Sequence, residues 1–151
     1  MFNGIIFNQG TIVKISKTAN GINLFLKSKI KLLKKNLGIS VSCDGVCLTL
    51  ISVKKDIIEF YLSNETINRS KFSKSKIGDK INLELPLQFK QRISGHICQG
   101  HVDTVSKLSS IKKYGKSQVL EFEIKTTLKK YLIEKASILI NGVSLTISKV
   151  L

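Results

Sequence analysis

The chain has 151 residues, 42% of them hydrophobic, which is enough apolar material for a buried core and reads on length alone as one domain. Its 25 Lys and Arg against 10 Asp and Glu give a net charge of +15, yet only Arg69 and Arg92 are arginines and Trp is absent. The guanidinium forks and stacking platforms of base-reading proteins are therefore missing, and a solvated lysine surface is expected rather than a nucleic-acid partner. No apolar run approaches the roughly 18 residues that span a bilayer, no basic export signal opens the chain, and three cysteines are an odd number for a disulfide framework; a reducing cytoplasm and no membrane partner are expected.

In chain order, short alternating segments at Thr11 to Ile15, Ile22 to Leu26, Ser40 to Cys43, Val46 to Ser52 and Ile57 to Leu62 predict strands. Asp44-Gly45 predicts a type I′ hairpin turn, which needs positive φ at both central residues. A short helix is expected over Asn64 to Phe72, and a strand over Lys80 to Leu85 stops at Pro86, the only proline. Closely spaced strands with one short helix point to a small closed β-barrel, which leaves no exposed edge.

The chain then repeats itself. Asp44-Gly45-Val46-Cys47-Leu48-Thr49 returns as Asn141-Gly142-Val143-Ser144-Leu145-Thr146, 97 positions later. Asn3-Gly4-Ile5-Ile6 matches Gln99-Gly100-His101-Val102, 96 positions on. Two matches at nearly one spacing mark a tandem duplication, so the expected organisation is two units, residues 1–90 and 91–151. The second unit holds only Ile147 to Leu151 after Thr146, where the first runs on to Pro86, and its barrel is expected to be incomplete.

Alternation on a strand places Cys47 and Thr49 on one face, and likewise Ser144 and Thr146. Cys47 alone reads more readily as core packing, and its match to Ser144 shifts that reading somewhat toward a shared polar tip. Both histidines lie in Gly95-His96-Ile97-Cys98-Gln99-Gly100-His101. His96, Cys98 and His101 are possible metal ligands, but a fourth ligand is not supplied, so no metal is expected. A structural reading, as a satisfied polar group near a strand start, weighs more for His96 than for His101 without being the main reading of either, and His101 is the better acid/base candidate, because imidazole titrates near neutrality.

Four segments together resemble riboflavin synthase: the start Met1-Phe2-Asn3-Gly4-Ile5-Ile6, the motif Asp44 to Thr49, the segment Ser94 to Asp103 with its Gly-His and Gly-His-Val-Asp elements, and the motif Asn141 to Thr146. The resemblance implies tandem six-stranded antiparallel Greek-key barrels, each binding one 6,7-dimethyl-8-ribityllumazine, with no cofactor. It further implies dismutation of two lumazines into riboflavin and 5-amino-6-(D-ribitylamino)uracil. Members trimerise around a C-terminal helix for which these residues show no counterpart, so a homotrimer is not expected of this chain alone.

Carried over by position, Cys47, His101 and Ser144 are the implied catalytic residues. Gly4, Ile5, Ile6, Cys47, Leu48, Thr49, Leu62, Asn64, Glu65 and Thr66 would form the first pocket. Gly100, His101, Val102, Lys135, Ser144, Leu145 and Thr146 would form the second. Asn3 and Asn141 depart from the family's threonine and aspartate. Two other readings compete: a non-catalytic lumazine or flavin binder, or an inactive remnant, and a basic barrel that binds single-stranded nucleic acid.

Overall fold

The computed structural model describes residues 1–151. Its first repeat is a closed antiparallel barrel of six strands, β1 (Asn8–Thr18), β2 (Gly21–Ser28), β3 (Ser40–Cys43), β4 (Val46–Lys54), β5 (Ile57–Ser63) and β6 (Lys80–Glu84). They hydrogen-bond in the order β1-β2-β5-β4-β3-β6, a Greek key in which β5 joins β2 to β4 and β6 joins β3 back to β1. Sixteen buried residues fill the lumen, among them Ile12, Leu24, Leu26, Leu48, Phe60, Leu62 and Leu83. The expected strands are all present, each within a few residues of its predicted bounds.

The predicted helix is divided. Helix α1 spans Asn64–Arg69, capped by Ser63 Oγ, which accepts from the Thr66 amide at 3.2 Å. Ser70 then turns extended, donates its hydroxyl to the Thr66 carbonyl at 2.6 Å and caps a separate 3₁₀ turn, Lys71–Lys74. A serine that bonds locally to backbone is a better cap than helix interior, which explains the break.

The second repeat has four strands in two separate hairpins, β7 (Leu108–Tyr114) with β8 (Ser117–Phe122), and β9 (Ser137–Ile140) with β10 (Val143–Thr146). These match β1 to β4, and the register recurs with the sequence: Gly38 N–H donates to Leu50 O, and Lys135 N–H, 97 positions on, to Ile147 O. No counterpart of β5 or β6 lies within these 151 residues, and those two strands are what link one hairpin to the other in the first repeat. The second barrel is therefore open, and none of the buried side chains belongs to residues 91–151.

A local two-fold relation joins the repeats. Phe2 and its match Cys98 pair with each other, Phe2 N–H donating to Cys98 O at 2.8 Å and Cys98 N–H to Phe2 O at 3.0 Å. The turns Asp44-Gly45 and Asn141-Gly142 have positive φ at all four residues, as type I′ turns require. They lie back to back: a Cβ on Gly45 would come within 2.9 Å of the Gly142 nitrogen, and one on Gly142 within 2.8 Å of the Gly45 nitrogen.

Candidate active site

On β4, Val46, Leu48 and Leu50 point into the barrel while Cys47 and Thr49 point outward. The register between β4 and β5 ends at Leu50 opposite Phe60, so the strands part toward the Asp44-Gly45 turn. At this opening the Cys47 amide donates to the Gly100 carbonyl at 2.8 Å. Gly100 has φ +82°, and a Cβ there would stand 2.8 Å from the Cys47 Cβ, so only glycine fits. Between the outer face of β4, helix α1 and the Gly100–Asp103 segment lies a cleft of about 440 Å³. It is lined by Cys47, Glu65, Thr66, Arg69, His101 and Asp103, among others.

The matching arrangement occurs once more with the repeats exchanged. Ser144 N–H donates to Gly4 O at 2.8 Å, and a Cβ on Gly4, with φ +74°, would come within 2.6 Å of the Ser144 Cβ. Each leading segment thus serves the other repeat's hairpin. This corrects the expected grouping: Gly4 pairs with Ser144, whereas Gly100, His101 and Val102 stand beside Cys47, and Ile5 and Ile6, which follow Gly4, are half-buried outside the residues that line the Cys47 cleft. Repeat matching alone assigns each segment to its own copy and carries no signal of the exchange.

Other expected residues are placed as follows. Leu48 and Leu62 lie in the barrel core, so their side chains cannot touch a ligand in the cleft. Thr49 and Asn64 are exposed outside the residues that line it. Leu145 is half-buried and Thr146 exposed on β10. Lys135 lies at the hairpin end remote from the Asn141-Gly142 turn, with φ +69°, and its ammonium has no partner.

Two residues outside the expected set stand beside the candidate sites. His96 Nδ1 is hydrogen-bonded to Ser144 Oγ, so the histidine left out of the expected site residues lies beside the serine included in them. Arg69 lines the first cleft, its Nε donating to Glu65 at 3.0 Å one helical turn away. The i, i+4 spacing of Glu65 and Arg69 was the available signal.

The electrostatics distinguish the three cysteines. Burial pushes the Cys43 thiol well above its usual range, and burial followed by the Glu84 carboxylate raises that of Cys98. Cys47 is half-buried at the cleft and makes no side-chain hydrogen bond. Behind it, Asp44 Oδ1 accepts from the Asn82 amide at 2.8 Å and Oδ2 meets Lys71 Nζ at 2.5 Å. Burial raises the Asp44 carboxyl, and the Lys71 and Asn82 contacts only partly offset it.

A family model for the lumazine binding domain matches residues 3–86 and 99–151, the same two repeats. The chain belongs to the lumazine-binding, riboflavin synthase family. Riboflavin synthase of Photobacterium leiognathi is 34% identical over 151 residues, covering 99% of this chain and 69% of that protein. The Bacillus subtilis riboflavin synthase is 32% identical over 147 residues, 97% of this chain and 68% of the other. In fold, this chain is similar to the structure of LumP complexed with riboflavin, with a TM-score of 0.85 at 24% identity over 99% of this chain and 82% of that one. LumP complexed with 6,7-dimethyl-8-(1'-D-ribityl) lumazine gives 0.82 over 99% and 81%. No helix of this family member is long and apolar enough to cross a membrane.

Proposed function

We propose that the chain is a riboflavin synthase, binding 6,7-dimethyl-8-ribityllumazine in the Cys47 cleft and in its Ser144 counterpart. We read residues 1–90 and 91–151 as the two lumazine-binding units. The reaction moves a four-carbon unit from one lumazine to a second, leaving riboflavin and 5-amino-6-(D-ribitylamino)uracil, with no net oxidation. The observation that carries this reading is the duplicated site, in which Cys47 and Ser144 occupy matched outward positions and each amide is tied to a matched glycine carbonyl. A reaction that consumes two copies of one molecule needs two similar sites, and bringing their ligands face to face makes the encounter effectively unimolecular.

In this reading Thr66 and Glu65, at the start of α1, meet the ribityl hydroxyls, because they offer polar tips on the cleft wall. Cys47 faces the ring as nucleophile or hydrogen-bonding partner, and His101 is the exposed imidazole available for proton transfer. Ser144 is the polar group of the second site. The second lumazine is brought up by another copy of the chain, since the cleft is open to solvent.

One observation favours a second reading, a lumazine or flavin binder without turnover: the Ser144 site is carried on an open pair of hairpins with no buried side chain. The deciding experiment incubates the purified chain with 6,7-dimethyl-8-ribityllumazine and records riboflavin together with the mass of the assembled species. Riboflavin formed at a rate that follows the assembled species supports the synthase. Lumazine bound at one per chain without riboflavin supports the binder, and the absence of both riboflavin and bound lumazine removes both readings.

A further inference from the structure

We propose that His96 is the positioning residue of the second site, holding the Ser144 hydroxyl in the one rotamer that turns its lone pairs toward the ligand; this rests on the reading that Ser144 acts in that site. The contact between His96 Nδ1 and Ser144 Oγ joins residues 48 positions apart, and both are half-buried.

Several bonds converge to hold this histidine in place. Its own amide donates to the Asn3 carbonyl at 3.0 Å, and the preceding Gly95 amide donates to Asn3 Oδ1 at 2.8 Å. A Cβ on Gly95 would collide with the Asn3 carbonyl, so the residue before His96 must be glycine for this approach. Asn3 is itself fixed by the first barrel. The buried Glu84 carboxylate at the end of β6 accepts the Asn3 amide at 2.6 Å and the Gly4 amide at 3.0 Å. Hydrogen bonds to an ionised carboxylate are stronger than neutral ones, which makes Glu84 a firm anchor. Gly4 in turn accepts the Ser144 amide. Both the backbone and the side chain of Ser144 are thus referred to one carboxylate of the closed barrel.

The first site has no such device, because Cys47 Sγ meets no side-chain donor or acceptor, so the two matched sites are chemically unequal. A free serine hydroxyl rotates among three staggered positions, and an imidazole acceptor at Nδ1 selects one of them. In the proposed arrangement the Ser144 hydroxyl donates to Nδ1, which places the ring proton on Nε2.

The test combines a kinetic and a spectroscopic readout. His96→Leu is expected to lower kcat about 10²-fold with KM nearly unchanged. His96→Asn places an amide oxygen near the Nδ1 position and is expected to restore most of the loss. In a Ser144→Ala background His96→Leu is expected to have no further effect. Losses that multiply in that background, or no rescue by Asn, would overturn the proposal. The pair is also read without turnover, since the chain has only two histidines and His101→Gln assigns the remaining nitrogen-15 ring signals to His96. Ser144→Ala should then shift His96 Nδ1 and release its tautomer, and unchanged signals would overturn the pairing. If the parent forms no riboflavin, the synthase reading fails while these signals still decide the pair.

Discussion

The two repeats share a hairpin register, a turn type and a site motif, yet one is a closed barrel with sixteen core residues and the other two hairpins with no buried side chain. What separates them is not local propensity, because β9 and β10 form as faithfully as β3 and β4. The difference is the pair of linking strands: β5 and β6 close the ladder of the first repeat and seal its apolar face. A strand motif can thus be legible and correctly folded while the packing that stabilises it is absent. The site on the second repeat is held instead by contacts to the first, through Glu84, Asn3 and Gly4.

Matched substitutions sharpen this contrast. Leu48 and Leu145 occupy equivalent positions, the first buried in the core and the second half-buried. Leu48→Ala should destabilise by about 2–5 kcal/mol in denaturant unfolding, and Leu145→Ala by about 1 kcal/mol or less. Equal losses would mean that the second repeat has a core of its own. Next in size, Glu84→Gln weakens the charged anchor shared by Asn3 and Gly4 and should cost about 1.5–3 kcal/mol. Hydrogen exchange should report that loss at the Asn3, Gly4 and Ser144 amides before it reaches the strands of the barrel. Cys47→Ser should slow riboflavin formation about tenfold while lumazine affinity changes little, because the polar tip remains and the better nucleophile is lost.

The smallest effect is pH-dependent. Burial raises the folded-state pKa of Asp44 above the usual carboxylate range, so the native state holds this proton more tightly than the unfolded state. The contribution from Asp44 is greatest below the unfolded value and is lost as pH rises through the folded one. Asp44→Asn, which gives the first turn the Asn-Gly sequence of the second, should remove that decline. The difference in stability between variant and parent should therefore move in favour of the variant across this window, and a flat difference would show that Asp44 does not titrate in it.

The sequence made the strands and both tight turns readable, since alternation and the Asp-Gly and Asn-Gly pairs are local signals. It also made the duplication readable, and with it the matched positions of Cys47 and Ser144. It could not show that Gly4 serves Ser144 and Gly100 serves Cys47, because a repeat records which segments are alike and not which copy each packs against. The contact between His96 and Ser144 is hidden for the same reason: the two are 48 positions apart, and nothing in the spacing brings them together. Leu48 and Leu62 enter the expected pocket by carry-over from the resembled family, whereas strand alternation turns both side chains toward the core.

The central claim is that lumazine occupies the cleft between Cys47 on β4 and the Gly100–Asp103 segment. Its most direct test is the alkylation rate of each cysteine, read by peptide mass spectrometry with and without saturating 6,7-dimethyl-8-ribityllumazine. Cys43 is buried and should stay unmodified in both, while Cys47 and Cys98 are both half-buried. The account predicts that bound lumazine shields Cys47 and leaves Cys98 reacting at its original rate. Lumazine bound at full occupancy with Cys47 still reacting at its free rate would contradict it.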